Sequence, residues 1–392
     1  MIKRSMEMKL KALAGKSPVV AVTGPRQSGK TTLVRGAFPG YKYVSLENLD
    51  TREFALRDPR LFLAQYNAPV IFDEIQRVPS LLSYIQTIVD ESGRNGMFIL
   101  TGSNNLMLLE SVSQSLAGRV ALLNLLPFSC AELGAARRLP GTLEEVLFKG
   151  GYPRLYDKKL TPEEFFSGYV ATYVERDIRQ VLKVADLHKF QVFLKMCAAR
   201  CGQLVNLTSL GNDCGINHGT AKAWLSILQT CYIVHLLPPH FENMGKRLMK
   251  SPKLYFYDTG LLCHLLGIQK ARELAVHPMR GYIFEAWVLG ELLKNLFNGG
   301  RRSNLYFWRD HVGNEVDCLI DKGRKITALE IKSAATIYEE QFKGLKYFKK
   351  LAEKKSVESM LVYAGTEFQK RGFGSAVDWR TFGLRVSGEQ AE

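Results

Sequence analysis

The sequence predicts an α/β protein in which a three-layer nucleotide-binding domain precedes two smaller domains, and three observations predict it. A glycine-rich loop lies between an apolar strand and a helical run. Further on, a second apolar strand ends in two carboxylates. Short apolar strands then keep alternating with helical stretches through residues 1–160.

The loop is Gly24-Pro25-Arg26-Gln27-Ser28-Gly29-Lys30-Thr31, a complete GxxxxGK[ST] phosphate loop, with Thr32 continuing into the helix. Its glycines let the backbone curl so that successive amide N–H groups and a helix N-terminus surround the β- and γ-phosphates, while Lys30 adds a point charge. Residues 18–23 read as the buried parallel strand before it and 31–38 as the helix after it. Thr31 offers a hydroxyl to Mg²⁺, and Asp73, closing the run Val70-Ile71-Phe72, holds the same ion directly or through water. Glu74 is the candidate to orient and deprotonate the attacking water. ATP and Mg²⁺ are therefore the expected cofactors, and triphosphate hydrolysis the expected reaction.

The expected strands of this sheet are 18–23, 41–46, 69–73, 97–102 and 120–125. The fourth ends in Gly102-Ser103-Asn104-Asn105, which puts small polar side chains at the carboxyl edge where a nucleotide sits. Ser103 and Asn104 are candidate γ-phosphate sensors.

Length and composition set the limits. The 392 residues suit two or three domains, divided here as 1–160, 161–280 and 281–392, with 46% hydrophobic residues to bury. Seven cysteines form no CxxC pair, which argues against a zinc ribbon or a disulfide framework. No leader sequence opens the chain and no apolar run approaches membrane-spanning length, so a soluble, cytoplasmic protein without a membrane partner is expected. The net charge of +15, spread over all parts of the chain, asks for an acidic partner, with DNA as the leading candidate.

These motifs, with Ile75-Gln76-Arg77-Val78-Pro79, Leu116-Ala117-Gly118-Arg119, Gly150-Gly151-Tyr152-Pro153, Tyr173-Val174-Glu175-Arg176-Asp177 and Tyr257-Asp258-Thr259-Gly260, resemble the prokaryotic AAA-type ATPases. The resemblance covers nearly the whole chain. It implies an AAA-type P-loop ATPase domain, then a helical lid and winged helix, then a restriction-endonuclease-like α/β domain. It also implies a homo-oligomer, such as a hexameric ring. Arg119 then becomes a candidate arginine finger, acting on its own or a neighbour's γ-phosphate, with Arg176 as a second.

Residues 206–228 read as a helix-turn-helix in which Ile216, Leu225 and Leu228 face the core and His218, Thr220, Lys222 and Ser226 face out. Residues 232–237 and 253–257 read as wing strands, with Lys246, Arg247 and Lys250 as a basic tip suited to phosphate contact. In the third domain a helix carries Glu285, one strand carries Asp317 and the next carries Glu330 and Lys332 on one side. This order resembles the PD-(D/E)xK nuclease core, which implies a Mg²⁺ site at Glu285, Asp317 and Glu330 with Lys332 beside it. Glu315-Val316 stands where the stricter motif has proline. The readings open at this point are an ATPase that binds or remodels DNA, branched forms included, a nucleotide-controlled signalling switch, and an ATP-gated Mg²⁺-dependent endonuclease.

Overall fold

Apolar runs too short for helices and bounded by glycine or carboxylate pair as parallel strands here, and alternate side chains then bury both faces of the sheet. The computed structural model describes residues 2–103, 116–158, 160–174, 187–240, 251–352 and 355–385. The chain divides into two compact units. The first is Met1–Phe128 with Thr230–Tyr232 and Leu296–Arg302, and the second is Ser129–Gln229, Ile233–Asn295 and Ser303–Glu392.

In the first unit β1 (Val19–Thr23), β2 (Lys42–Ser45), β3 (Val70–Asp73), β4 (Phe98–Gly102) and β5 (Val120–Asn124) form an all-parallel sheet in the order β2-β3-β4-β1-β5. Each strand lies within one residue, at either end, of its expected span. Val19, Ala21, Val70, Phe72, Phe98 and Leu100 face one core, which includes Leu82 and Ile85 of the helix Leu81–Ser92. Val20, Val22, Ile71 and Ile99 face the other, which includes Leu10 of the helix Glu7–Ala14 and Leu33 of the helix Lys30–Ala37. The unit thus has three layers, with β1, β3 and β4 ending side by side at one edge.

The second unit begins earlier than the boundary at 160 expected from sequence. Gly150 and Gly151 explain why. The Asp258 carboxylate caps the helix Thr259–Leu265 by accepting from Leu261 N at 3.1 Å, and it also accepts from Gly151 N at 2.8 Å. Gly150 sits at φ +66°, where a Cβ would lie 2.3 Å from the Asp258 carboxylate, so only glycine allows this approach. Glu291 of the helix Arg280–Asn298 likewise accepts from Cys130 N at 2.8 Å.

Helices Leu207–Asp213 and His218–Thr230 form the expected helix pair. Leu225 and Leu228 are buried and Ile216 half-buried, while His218, Lys222 and Ser226 are exposed and Thr220 half-exposed. The strands β6 (Val234–Leu237) and β7 (Lys253–Phe256) pair antiparallel. Every residue of β7 is buried, Lys253 included, whereas a wing would show one face to solvent. The tip residues Lys246, Arg247 and Lys250 lie outside the described residues.

The C-terminal part is a six-stranded mixed sheet of β8 (Leu305–Arg309), β9 (Glu315–Asp321), β10 (Lys325–Lys332), β11 (Ser356–Tyr363), β12 (Gln369–Arg371) and β13 (Gly374–Asp378), in the order β12-β13-β11-β10-β9-β8. Leu345 and Phe348 of the helix Lys343–Leu351 share one core with Leu319, Ile326 and Ala328. Among the described residues no helix is long and apolar enough to cross a membrane. Six of the seven cysteines are buried.

On β6 the His235 Nε2 is enclosed with no hydrogen-bond partner among the described residues, and burial pushes its pKa down to about 4. The folded protein therefore favours neutral imidazole. The stability this contributes is present above the unfolded value near 6.5 and lost as pH falls from there to about 4. Melting temperatures measured across this range should fall more steeply for the wild type than for His235→Leu.

Candidate nucleotide-binding site

The loop after β1 is shaped by close backbone approach. A Cβ on Gly24, at φ +144°, would lie 2.1 Å from the Leu125 carbonyl oxygen, so the chain turns here only as glycine. Lys30, 6% exposed at the first position of its helix, donates to the Gly24 and Pro25 carbonyls at 3.0 and 2.8 Å, which holds the ammonium in the mouth of the loop. Behind the loop Arg4 donates to Ser28 O at 2.7 Å and Leu126 O at 2.6 Å, its guanidinium resting over the Phe128 ring. Thr23, just before the loop, donates to Asn124 Oδ1 at 2.6 Å, and Asn124 Oδ1 accepts from the Tyr232 hydroxyl at 2.9 Å. The Ser28 hydroxyl is buried with no partner among the described residues.

Asp73 is the hub of the metal side. Its carboxylate accepts from Thr31 Oγ1 at 3.1 and 3.2 Å, from the Tyr43 hydroxyl at 2.7 Å and from the Thr101 hydroxyl. A cluster of carboxylate and hydroxyl oxygens is the donor set that a hard divalent cation prefers, so Thr31 and Asp73 fit Mg²⁺. When bound, the ion would neutralise charge on the β- and γ-phosphates. Burial first, and then the bond to Asp73, push the Tyr43 pKa up to about 12, so its hydroxyl stays a donor. The Arg35 guanidinium lies over its ring, 4.7 Å from the centroid. Tyr43, Thr32 and Arg35 also line an open cleft of about 510 Å³ beside the loop helix.

Glu74 adopts φ +58°, a left-handed conformation that costs a non-glycine residue on the order of 1–3 kcal/mol. Its Oε2 accepts from Ser103 Oγ at 2.9 Å and from the Gln76 amide, while its own N–H points at Thr101 Oγ1, 3.4 Å away. Ser103, expected as a phosphate sensor, thus orients the candidate base. The strain keeps Glu74 turned toward the edge where β1, β3 and β4 end.

Sequence reasoning missed Arg4, Tyr43, Thr101 and Gln76. The alternation of β2 alone shows Tyr43 on one of two faces, and only the neighbouring strand decides which. The positive φ at Glu74 leaves no trace in composition.

Arg119 is not brought to its own phosphate loop. It precedes β5, its carbonyl accepts from Val19 N at the amino edge of the sheet, and its guanidinium pairs with both oxygens of Asp90, the Nη2 contact being 2.9 Å. The loop lies at the carboxyl edge, five residues of strand away, or about 16 Å. In this arrangement the Arg119 guanidinium is turned to Asp90, at the opposite edge of the sheet from its own loop. Asn104 and Arg176 lie outside the described residues.

In the second unit Glu330 and Lys332 project to one side of β10 as expected, 2.6 Å apart, and Lys332 lies 3.6 Å from Asp317. Asp317 Oδ2 also accepts from Ile331 N at 2.8 Å. Glu285 accepts from Tyr255 and lies 3.5 Å from Lys253, which pairs with Glu315 as well. Burial, reinforced by the negative charge of Asp317, raises the pKa of Glu330 to about 8 and of Glu285 to about 7. Burial opposes the Lys253 charge, but Glu285, Asp317 and Glu315 outweigh it and hold the ammonium above the usual lysine range. Among the described residues no three His, Cys, Asp or Glu side chains are arranged to hold a metal ion. The carboxylates expected as a Mg²⁺ site are thus paired with lysines, Glu285 with Lys253, and Asp317 and Glu330 with Lys332.

Comparison with known proteins agrees with the geometry of the loop. Residues 16–134 match an AAA domain family, residues 141–272 a domain of unknown function (DUF8612) and residues 280–382 another (DUF4143). An uncharacterized protein of Mycobacterium tuberculosis is 31% identical over 339 residues, 85% of this chain and 74% of the relative. The chain belongs to the same family as this relative. An uncharacterized protein of Haemophilus influenzae is 24% identical over 282 residues, 64% of this chain and 69% of its own. A Walker-type ATPase of Pyrococcus abyssi is similar in structure with a TM-score of 0.47 and 16% identity, covering 68% of this chain and 96% of its own. The first unit of this family member carries an AAA-type ATPase domain.

Tyr43→Phe removes a hydrogen bond to the Asp73 carboxylate, a contact of about 1.5–3 kcal/mol. ATPase assays titrated with Mg²⁺ should show the metal requirement rising about tenfold or more, with magnesium-free nucleotide binding unchanged.

Proposed function

We propose that the protein is a Mg²⁺-dependent ATPase that couples ATP hydrolysis to binding or remodelling of DNA as a homo-oligomer. The observation that carries the hydrolytic part is the paired arrangement of Asp73 and Glu74. The first is gathered among hydroxyls beside Thr31. The second is held apart from it by a left-handed backbone and by Ser103. One carboxylate then serves the metal and its neighbour the water, so two adjacent acids do not compete for one role. Lys30 and the loop amides bear the phosphates.

The DNA part rests on the +15 charge and on the exposed face of the helix His218–Thr230, where His218, Lys222 and Ser226 face solvent. A homo-oligomer is supported by the position of Arg119: held away from its own loop, this guanidinium would serve hydrolysis on the nucleotide of a neighbouring subunit.

Lys30→Ala should abolish nucleotide binding, while Glu74→Gln should retain bound ATP and lower turnover by about 100-fold or more, measured by filter binding and phosphate release. Turnover near the wild-type rate in Glu74→Gln would show that another base acts. The coupling is tested by ATPase rates with duplex, single-stranded, forked and four-way DNA over a salt series. Strong stimulation by one form, with affinity falling steeply as salt rises, is expected; a rate indifferent to every DNA form would remove DNA from the reading and leave a switch.

A further inference from the structure

The root of the phosphate loop is held by a residue that lies far from it along the chain. Tyr232 stands between the helix His218–Thr230 and β6, outside residues 16–134 that match the AAA domain family and inside residues 141–272 that match a domain of unknown function. It is 4% exposed. Its hydroxyl lies 2.9 Å from Thr23 Oγ1 and donates to Asn124 Oδ1 at 2.9 Å, while Thr23 donates to the same Asn124 oxygen at 2.6 Å. Three polar side chains therefore close a triangle where β1 and β5 end. Burial pushes the Tyr232 pKa up to about 12, so the hydroxyl keeps the proton that the triangle needs.

Thr23 is the last residue of β1, directly before Gly24, and its carbonyl accepts from Leu125 N at 2.8 Å. Whatever fixes Thr23 thus fixes where the loop leaves the sheet. Filling space does not explain the tyrosine, because phenylalanine would occupy the same volume without the donor. The Tyr232 backbone is left-handed at φ +57°, a conformation that a bulky residue adopts only where its surroundings impose it. Thr230–Tyr232 belongs to the first unit, whereas Gln229 before it and Ile233 after it belong to the second. Ile233 N donates to Leu228 O at 2.9 Å, which ties the chain just past Tyr232 back to the helix. The hydroxyl at the loop root and the end of the helix are therefore borne by one short stretch of backbone.

We propose that Tyr232 is a positioning residue of the ATPase, setting the phosphate loop through Thr23 and thereby linking nucleotide in the loop to order at the end of the helix His218–Thr230. The inference rests on the reading of Gly24–Thr31 as a nucleotide-binding loop. Linkage is reciprocal, so a partner that orders this helix end tightens nucleotide binding by the factor with which nucleotide tightens the partner.

The test takes the full chain as wild type, Tyr232→Phe and Thr23→Val through ATP steady-state kinetics, and through amide hydrogen exchange with and without Mg²⁺ and a non-hydrolysable ATP analogue. Tyr232→Phe should raise KM for ATP about fivefold with kcat within about twofold, since Asp73 and Glu74 are untouched. A tyrosine with only a structural role would lower the melting temperature and leave KM in place. In wild type the analogue should slow exchange over residues 228–233 as well as over the loop. Tyr232→Phe should keep the effect on the loop and lose the one at the helix end, and Thr23→Val, which breaks the triangle from the strand side, should do the same. An unchanged KM in Tyr232→Phe would overturn the proposal, as would a wild-type helix end that ignores the analogue while the loop is protected. A loop that gains no protection would instead remove the nucleotide reading, and this inference with it. Should Tyr232→Phe fail to fold, the wild-type exchange still decides.

Discussion

The convergence of hydroxyls on Asp73 is the constraint that organises the nucleotide site. Thr31 comes from the loop helix, Tyr43 from β2 and Thr101 from β4, while Asp73 itself ends β3. Four elements therefore meet at one carboxylate. They can do so only because the sheet order sets β3 between β2 and β4, with β1 next to β4. A parallel sheet with helices on both faces is what brings all these strand ends to a single edge. The apolar alternation of β1, β3 and β4 is thus what places the hydrophilic site at their shared edge.

Two groups of carboxylates in this chain resolve the same electrostatic problem differently. At Asp73 the surrounding donors are neutral hydroxyls, which steady a carboxylate without cancelling its charge, so the affinity for a cation is preserved. At Glu285, Glu315, Asp317 and Glu330 the surrounding donors include two ammonium groups and a guanidinium, which cancel charge outright. Burial strengthens the contrast. Charges removed from water need full partners, and Lys253 and Lys332 are those partners within the fold. The first arrangement leaves its carboxylate charged for a ligand, and the second pairs its carboxylates with cations of the chain.

Much of the first unit was legible along the chain. The phosphate loop, the strand ending in Asp73-Glu74 and the five strand positions follow from local periodicity and from residue types that few other structures require. The second unit was less so. Leu225 and Leu228 are buried as the helical period demands, yet β7 reads as a half-exposed wing strand, because Lys253 and Tyr255 alternate with Leu254 and Phe256 although all four are buried. The order Glu285, Asp317, Glu330, Lys332 was visible, and so was the shared side of the last two. What could not be seen is that Lys253, outside that motif, enters the same cluster.

The sequence by itself determined the elements and one chemistry: where strands begin and end, which loop takes phosphate, and which two acids stand at the end of β3. These depend on residues within one element, where backbone geometry converts spacing directly into position. Tertiary structure alone decided that Ser103 and Gln76 hold Glu74, that Tyr43 and Thr101 hold Asp73, that Arg119 faces Asp90 at the far edge of its sheet, and that Lys253 pairs with Glu285 and Glu315. Each is a meeting of side chains from different elements, set by sheet order and helix packing rather than by spacing along the chain.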